Sequence, residues 1–219
     1  LVGSEMCIRD SITSGADNVC LGTAANRNAT TSSRNISIGS AALEFMTDDD
    51  NIAIGNQTSR YNVGTENVVI GNSAADGTSG NTDYDNCVII GYAASSLDVT
   101  GDDNVIIGSN AGATITSGAR NVALGTNAGD NITTGSNNLI VGTNLDAQSA
   151  TASNQMSIGN LIFSEGADAV GTTISSGNVG VKTTTPNSSL HVEGSVAKSI
   201  TTKTANYTAT GTDYTIIGN

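Results

Sequence analysis

"NVALGTNAG", residues 121–129, decides the fold, because the chain says nearly the same thing seventeen residues to either side. "NVIIGSNAG" begins at Asn104 and "NLIVGTNLD" at Asn138. With the Gly of each phrase as anchor, the series runs Gly22, Gly39, Gly55, Gly71, Gly91, Gly108, Gly125, Gly142 and Gly159. The spacings are 17, 16, 16, 20, 17, 17, 17 and 17, a phase held over nine units. A fixed period of this length is the mark of a repeat architecture, in which each unit adds one small patch of core to its neighbours.

Composition agrees. The 219 residues contain no Trp, one His and one Pro, with only 3% aromatic and 13% charged residues. So polar a chain either stays disordered or buries its few apolar side chains in a regular stack, and the period selects the stack. Large aliphatic residues stand three and one before every anchor Gly, as in Val105 and Ile107 or Val122 and Leu124. Two residues apart and mostly β-branched, they predict a short strand that Gly terminates. Three after the Gly the residue is small, for example Ala25, Ala42, Ala74, Ala94, Ala111 and Ala128. Ile115 in "TITSG" and Ile132 in "NITTG" suggest a second, weaker strand. Two short strands and two polar turns per repeat predict an all-β chain, a parallel β-solenoid of about nine coils of 16–17 residues. At ~4.8 Å per layer the rod is about 40 Å long.

The strand pair is expected to face inward. The position between its members should then face out, yet it is apolar in seven of nine units. Ala53, Val69, Ile89, Ile106, Ala123 and Ile140 are therefore expected to form an apolar stripe through which chains associate. Asn opens seven of the nine phrases, with Cys87 and Gln155 in the other two. Either its amides form a ladder from coil to coil, or Asn simply suits a turn.

Little in the chain suggests chemistry. The formal charge of −12 and pI near 4.1 disfavour nucleic acid and anionic membranes, and no apolar run suits membrane insertion by this fragment. His191 has no Cys, Asp or Glu at a metal-like spacing. Cys20 and Cys87 lie four coils apart, about 19 Å, too far for a disulfide. The acidic stretches "TDDDN" (47–51) and "TGDDN" (100–104) lack a calcium-roll phrase and read as solvated turns. No cofactor, metal or catalytic residue is expected. A recognition site belongs where the repeat is interrupted, at "DGTSGNTDYD" (76–85), with Asp76, Asp83, Tyr84 and Asp85 as candidates.

The repeat phrase, seen as "NISIGSAA", "NVVIGNSA" and "NVALGTNA", resembles the head repeats of trimeric autotransporter adhesins (YadA-like heads) and related arrays in phage tail fibres. The resemblance covers residues 12–162, although those heads use shorter repeats. It implies a left-handed β-roll, a homotrimer, and an extracellular place on a bacterial outer surface or phage virion tail. It also implies attachment to a host receptor or glycan. "GNVGVKTTTPNSSLHVEG" (177–194) resembles the segment that follows such arrays, so 163–194 reads as a transition and 195–219 as the start of a truncated β-structured module. Residues 1–11, "LVGSEMCIRDS", match no repeat and resemble a translated sequencing adapter over ten consecutive codons. Setting them aside leaves the charge at −11. The expected function is a structural and adhesive surface-fibre segment rather than an enzyme. Two alternatives are weaker. An ice- or surface-binding solenoid needs a flat Thr ladder, and the position eight after Gly supplies only Thr30, Thr47, Thr116 and Thr133. A polysaccharide depolymerase needs a carboxylate pair beside an aromatic platform, and none is evident.

Overall fold

The structure, a computed structural model, describes residues 15–28, 30–61, 64–77, 83–167 and 176–195. The adapter-like segment and most of the segment read as a truncated module lie outside the described residues. Nine three-residue strands carry the repeat: β1 (Val19–Leu21), β2 (Ile36–Ile38), β3 (Ile52–Ile54), β4 (Val68–Ile70), β5 (Val88–Ile90), β6 (Val105–Ile107), β7 (Val122–Leu124), β8 (Leu139–Val141) and β9 (Met156–Ile158). Each pairs in parallel with the next and in strict register, Val105 beside Val122 and Ile107 beside Leu124. The chain is thus an all-β parallel solenoid, one strand per coil. β10 (Ile162–Glu165), β11 (Asn178–Val181) and β12 (Leu190–Val192) extend the same sheet to twelve strands in sequence order.

A coil of seventeen residues must turn sharply, and the backbone does so through the left-handed region. In one coil Asn110 (φ 53°), Gly112 (φ 55°) and Arg120 (φ 56°) adopt it, and Asn127, Gly129 and Asn137 repeat the pattern in the next. Asn tolerates this region better than most residues, and Gly is unpenalised, which accounts for much of the unusual composition. The anchor Gly has a different reason. At Gly108 φ is +144°, and a Cβ there would lie 2.2 Å from the carbonyl oxygen of Gly125 in the next coil. The strand end therefore packs backbone on backbone.

The pleat runs opposite to the sequence expectation. The middle residue of each strand points into the coil: Ala53, Val69, Ile89, Ile106, Ala123 and Ile140 are at most 1% exposed. These six residues cannot be an outward stripe. The two flanking aliphatics face away from the coil instead, with Val19 51%, Leu21 45% and Ile107 38% exposed. The reason is room. The inside of a coil is already occupied by the residue three after Gly, such as Ala111 or Ala128, and by Ile115 or Ile132. One side chain per strand fills the remaining space. Where that residue is Ser37, its hydroxyl donates to the Ala42 carbonyl at 2.7 Å.

Ile115 and Ile132 are fully buried but belong to no strand, so among the described residues each coil has one strand, not two. After β9 the chain reverses. β10 runs antiparallel to β9, β11 antiparallel to β10, and β12 parallel to β11. Phe163, 6% exposed, continues the inward column beyond Ser157 and sits opposite Gly180.

Candidate functional site

Three features run the length of the array: an inner polar ladder, a column of turn side chains, and the outward aliphatic face. The ladder settles the role of the Asn that opens each phrase. Asn104 Oδ1 accepts from the Asn121 amide at 2.9 Å, and Asn121 Oδ1 from the Asn138 amide at 3.0 Å. Equivalent bonds link Asn18 to Asn35, Asn35 to Asn51, Asn51 to Asn67 and Asn138 to Gln155. Each amide NH2 also donates to a carbonyl one coil on, Asn121 Nδ2 to Gly135 and Asn138 Nδ2 to Ala152. Cys87 substitutes in this ladder. Its Sγ accepts from the Asn104 amide at 3.3 Å and approaches the Gly101 carbonyl at 3.6 Å. Burial pushes its thiol up to about 11, so it stays protonated and can donate. Cys20 is partly exposed, and both thiols are free.

The column two residues before the ladder absorbs the acidic turns. Asp49 accepts from the Ser33 amide, Asp85 from Thr65 and Asp102 from Asp85, while Ser33, Ser136 and Ser153 do the same in other coils, all at 2.6–3.1 Å. Arg34 also forks between Asp49 and Asp50, which lowers the Asp50 carboxyl below its usual range. Burial raises Asp48, with Asp83, Asp49 and Asp85 adding like charge against a lowering bond from Thr47. Among the described residues no group of three or more His, Cys, Asp or Glu is placed to hold a metal ion, and no helix is long and apolar enough to cross a membrane.

The interruption of the repeat does not present an aromatic tip. Tyr84 is fully buried, and its hydroxyl shares a 2.7 Å hydrogen bond with Ser59. It belongs to the same buried cluster as Val69, Ala74 and Ile89, in a part of the array whose sequence lacks the Ile115 and Ile132 of later coils. Asp76 is ion-paired with Arg60 at 3.0 Å, although burial still raises its carboxyl. Asp85 is spent on Thr65. Asp83 alone of the four remains an exposed turn residue. Three of the four candidates are therefore engaged within the scaffold, and residues 78–82 of the interruption lie outside the described residues.

Two aromatic residues do meet elsewhere. Phe45 and Tyr61, each six after an anchor Gly, stack with centroids 5.0 Å apart and rings parallel. Arg27 lies over Phe45 and Arg60 over Tyr61, while Arg27 pairs with Glu44. The ring faces are thereby occupied by each other and by guanidinium groups, so the stack presents edges to solvent. It fastens successive coils. The Thr column is similarly committed: Thr116 and Thr133 hydroxyls donate to the Thr133 and Ala150 carbonyls, and Val99 is buried in that row. His191 accepts from the Asn187 amide at 3.4 Å and lies 3.5 Å from Glu193, on β12.

Comparison with known protein families, characterised proteins and solved structures gives no match.

What is left unsatisfied is the outward face. Both flanking positions are aliphatic or Met in all nine coils: Val, Ile, Leu or Met in one row and Ile, Leu or Val in the other. No charged or polar side chain interrupts either row across β1 to β9. A sheet face exposed to water ordinarily alternates toward polar residues, and the rest of this surface is rich in Asn, Thr and Asp. The strands lie where the sequence predicts them, but the exposed aliphatic rows are the two flanking positions and not the middle one.

Proposed function

We propose that this chain is a segment of a trimeric surface fibre, structural and adhesive, that attaches its bearer to a host cell or surface. The observation that carries the reading is the outward aliphatic face, two unbroken rows on nine stacked strands. At ~380 Å² in projection the strip matches the largest apolar patch of an ordinary monomer, a patch that is often functional, and here no polar side chain interrupts it. The strip is only two side chains wide, about 7 Å between rows. Two copies face to face would leave both flanks wet, whereas three around an axis set one row of each chain against the other row of its neighbour. Such a closed arrangement buries every row and is a permitted cyclic symmetry.

The remaining features suit a stalk or head that carries binding at its periphery. The coils are fastened by ladders that need no cofactor, and the surface is acidic and rich in small polar residues. Attachment by three parallel copies gains strength from multivalency rather than a deep pocket. The place of action is then outside the cell, on a bacterial outer surface or a phage tail, and the partner is a receptor or glycan of the host surface. The test is binding of the full chain to panels of host cells and immobilised glycans, beside an Ile107→Glu variant built to be monomeric. Retention of the parent chain on some surface, and at least tenfold weaker retention of the variant, supports the proposal. Equal retention of both, or none on any surface by a trimeric parent, refutes it.

A further inference from the structure

We infer that the association face does not stop with the repeat array but continues through β10, β11 and β12, so that the outward residues of these three strands are part of the contact between chains. The inference rests on the trimeric reading above. Its basis is register. Across the reversal, Ile158 pairs with Ile162 and Met156 with Ser164. Ile162 pairs with Val181 and Ser164 with Val179. Val181 pairs with Val192 and Val179 with Leu190. One row therefore runs on as Ile158, Ile162, Val181, Val192, and the other as Met156, Ser164, Val179, Leu190, in which Ser164 alone is buried within the chain. Five of the six added positions are aliphatic.

A chain reversal need not preserve a face, because a slip of one residue in either hairpin exchanges the two sides of the strand. Here the three-residue connection Gly159, Asn160 and Leu161, with φ 58° and 54° at its first two residues, returns the chain in the register that keeps the rows aligned. The inward column continues separately, since Phe163 is buried and faces Gly180. The aliphatics on the other side have no part in that buried column. Leu190 is nevertheless 62% exposed, the most exposed large apolar side chain among the described residues.

Area and spacing indicate the occupant. Eight inter-strand steps of about 4.8 Å and a width of about 10 Å give the array face ~380 Å² in projection. The three further strands raise it to ~530 Å², toward the ~800 Å² per partner typical of a stable contact. The strip presents an aliphatic pair at every 4.8 Å rung. A partner matching it rung for rung over twelve strands is another copy of this chain in the same orientation.

The experiment uses the full chain and measures its association by sedimentation velocity across a dilution series. Val179→Glu and Leu190→Glu, on β11 and β12, are compared with Ile107→Glu in the array and with the parent. Each is expected to shift the midpoint of dissociation at least about tenfold toward monomer, with the circular dichroism of the array unchanged. If Ile107→Glu dissociates the assembly and the two C-terminal variants do not, this inference is overturned and the fibre reading stands. If the parent is monomeric at every concentration, both fall. Because a glutamate on β11 or β12 can also unfold those strands, Leu190→Cys is tested in a background lacking the native cysteines. Mild oxidation is expected to give covalent dimers from Leu190→Cys and not from Asn187→Cys on the preceding turn. Absence of that cross-link overturns the inference.

Discussion

Removing one rung of the Asn ladder should unfasten two coils, and Asn121 is the cleanest place to do it. Its Oδ1 accepts the Asn138 amide at 3.0 Å and its Nδ2 donates to the Gly135 carbonyl at 2.9 Å, with the side chain fully buried. Asn121→Ala strands that donor and that acceptor where water does not reach. Each orphaned buried group costs about 1–3 kcal/mol, so the variant should lose about 2–6 kcal/mol. Asn121→Asp separates the two bonds. Its carboxylate still accepts from Asn138 but presents a negative oxygen to the Gly135 carbonyl, so at pH 7 the loss should equal or exceed that of Ala. Facing a carbonyl in a buried site, the new carboxyl has a folded-state pKa above the ~3.9 of an unfolded Asp. The folded state then binds protons more tightly, so stability is fully present below the unfolded value and is lost as pH rises through the folded one. At pH 3.5 the protonated carboxyl donates to Gly135 and most of the loss should be recovered. The assay is urea unfolding followed by circular dichroism, each variant against the parent at the same pH, with hydrogen exchange at the Asn138 amide. An Asn121→Ala loss below about 0.5 kcal/mol, or undiminished protection of the Asn138 amide, would refute the ladder as a source of stability.

Three further outcomes are expected. Cys87→Asn replaces a sulfur that accepts at 3.3 Å with an amide suited to both ladder bonds, and should stabilise the chain by about 0.5–1.5 kcal/mol in urea unfolding. In the parent, Cys87 should react with a thiol reagent only on unfolding, because its thiol is buried and protonated. Gly108→Ala combines an unfavourable φ of +144° with a 2.2 Å approach to Gly125, and should cost about 3 kcal/mol or more by the same unfolding assay. Burial first, then Asp146, raises the Asp130 carboxyl, so the parent loses stability as pH climbs through that raised value. Asp130→Asn should therefore raise Tm at pH 7 and leave it unchanged at pH 3, as scanning calorimetry would register.

The solenoid was legible because three constraints repeat in phase: Gly where backbones touch, Asn where a ladder crosses coils, and a three-residue apolar strand. The sense of the pleat was not. In "VII" at 105–107 all three residues are apolar, so alternation cannot tell inside from outside. A clue was present, since the ladder Asn lies two residues before the middle strand position and shares its side of the chain. Placing Asn104 inside places Ile106 inside and turns Val105 and Ile107 outward. Tyr84 misled because an aromatic in a polar insertion resembles a loop tip, whereas it is fully buried in the core cluster. The Phe45–Tyr61 stack is visible only when both residues are counted from their own anchor Gly. The register of β10 to β12 depends on a reversal that no repeat period announces.

The mass of the full chain in solution tests the central claim most directly. Sedimentation equilibrium should give a value near three times the 21.9 kDa of the chain, shifting toward one chain when Ile107→Glu is introduced on the outward face. A folded parent that remains at 21.9 kDa across the concentration range would show that this face is content in water, and would contradict the account.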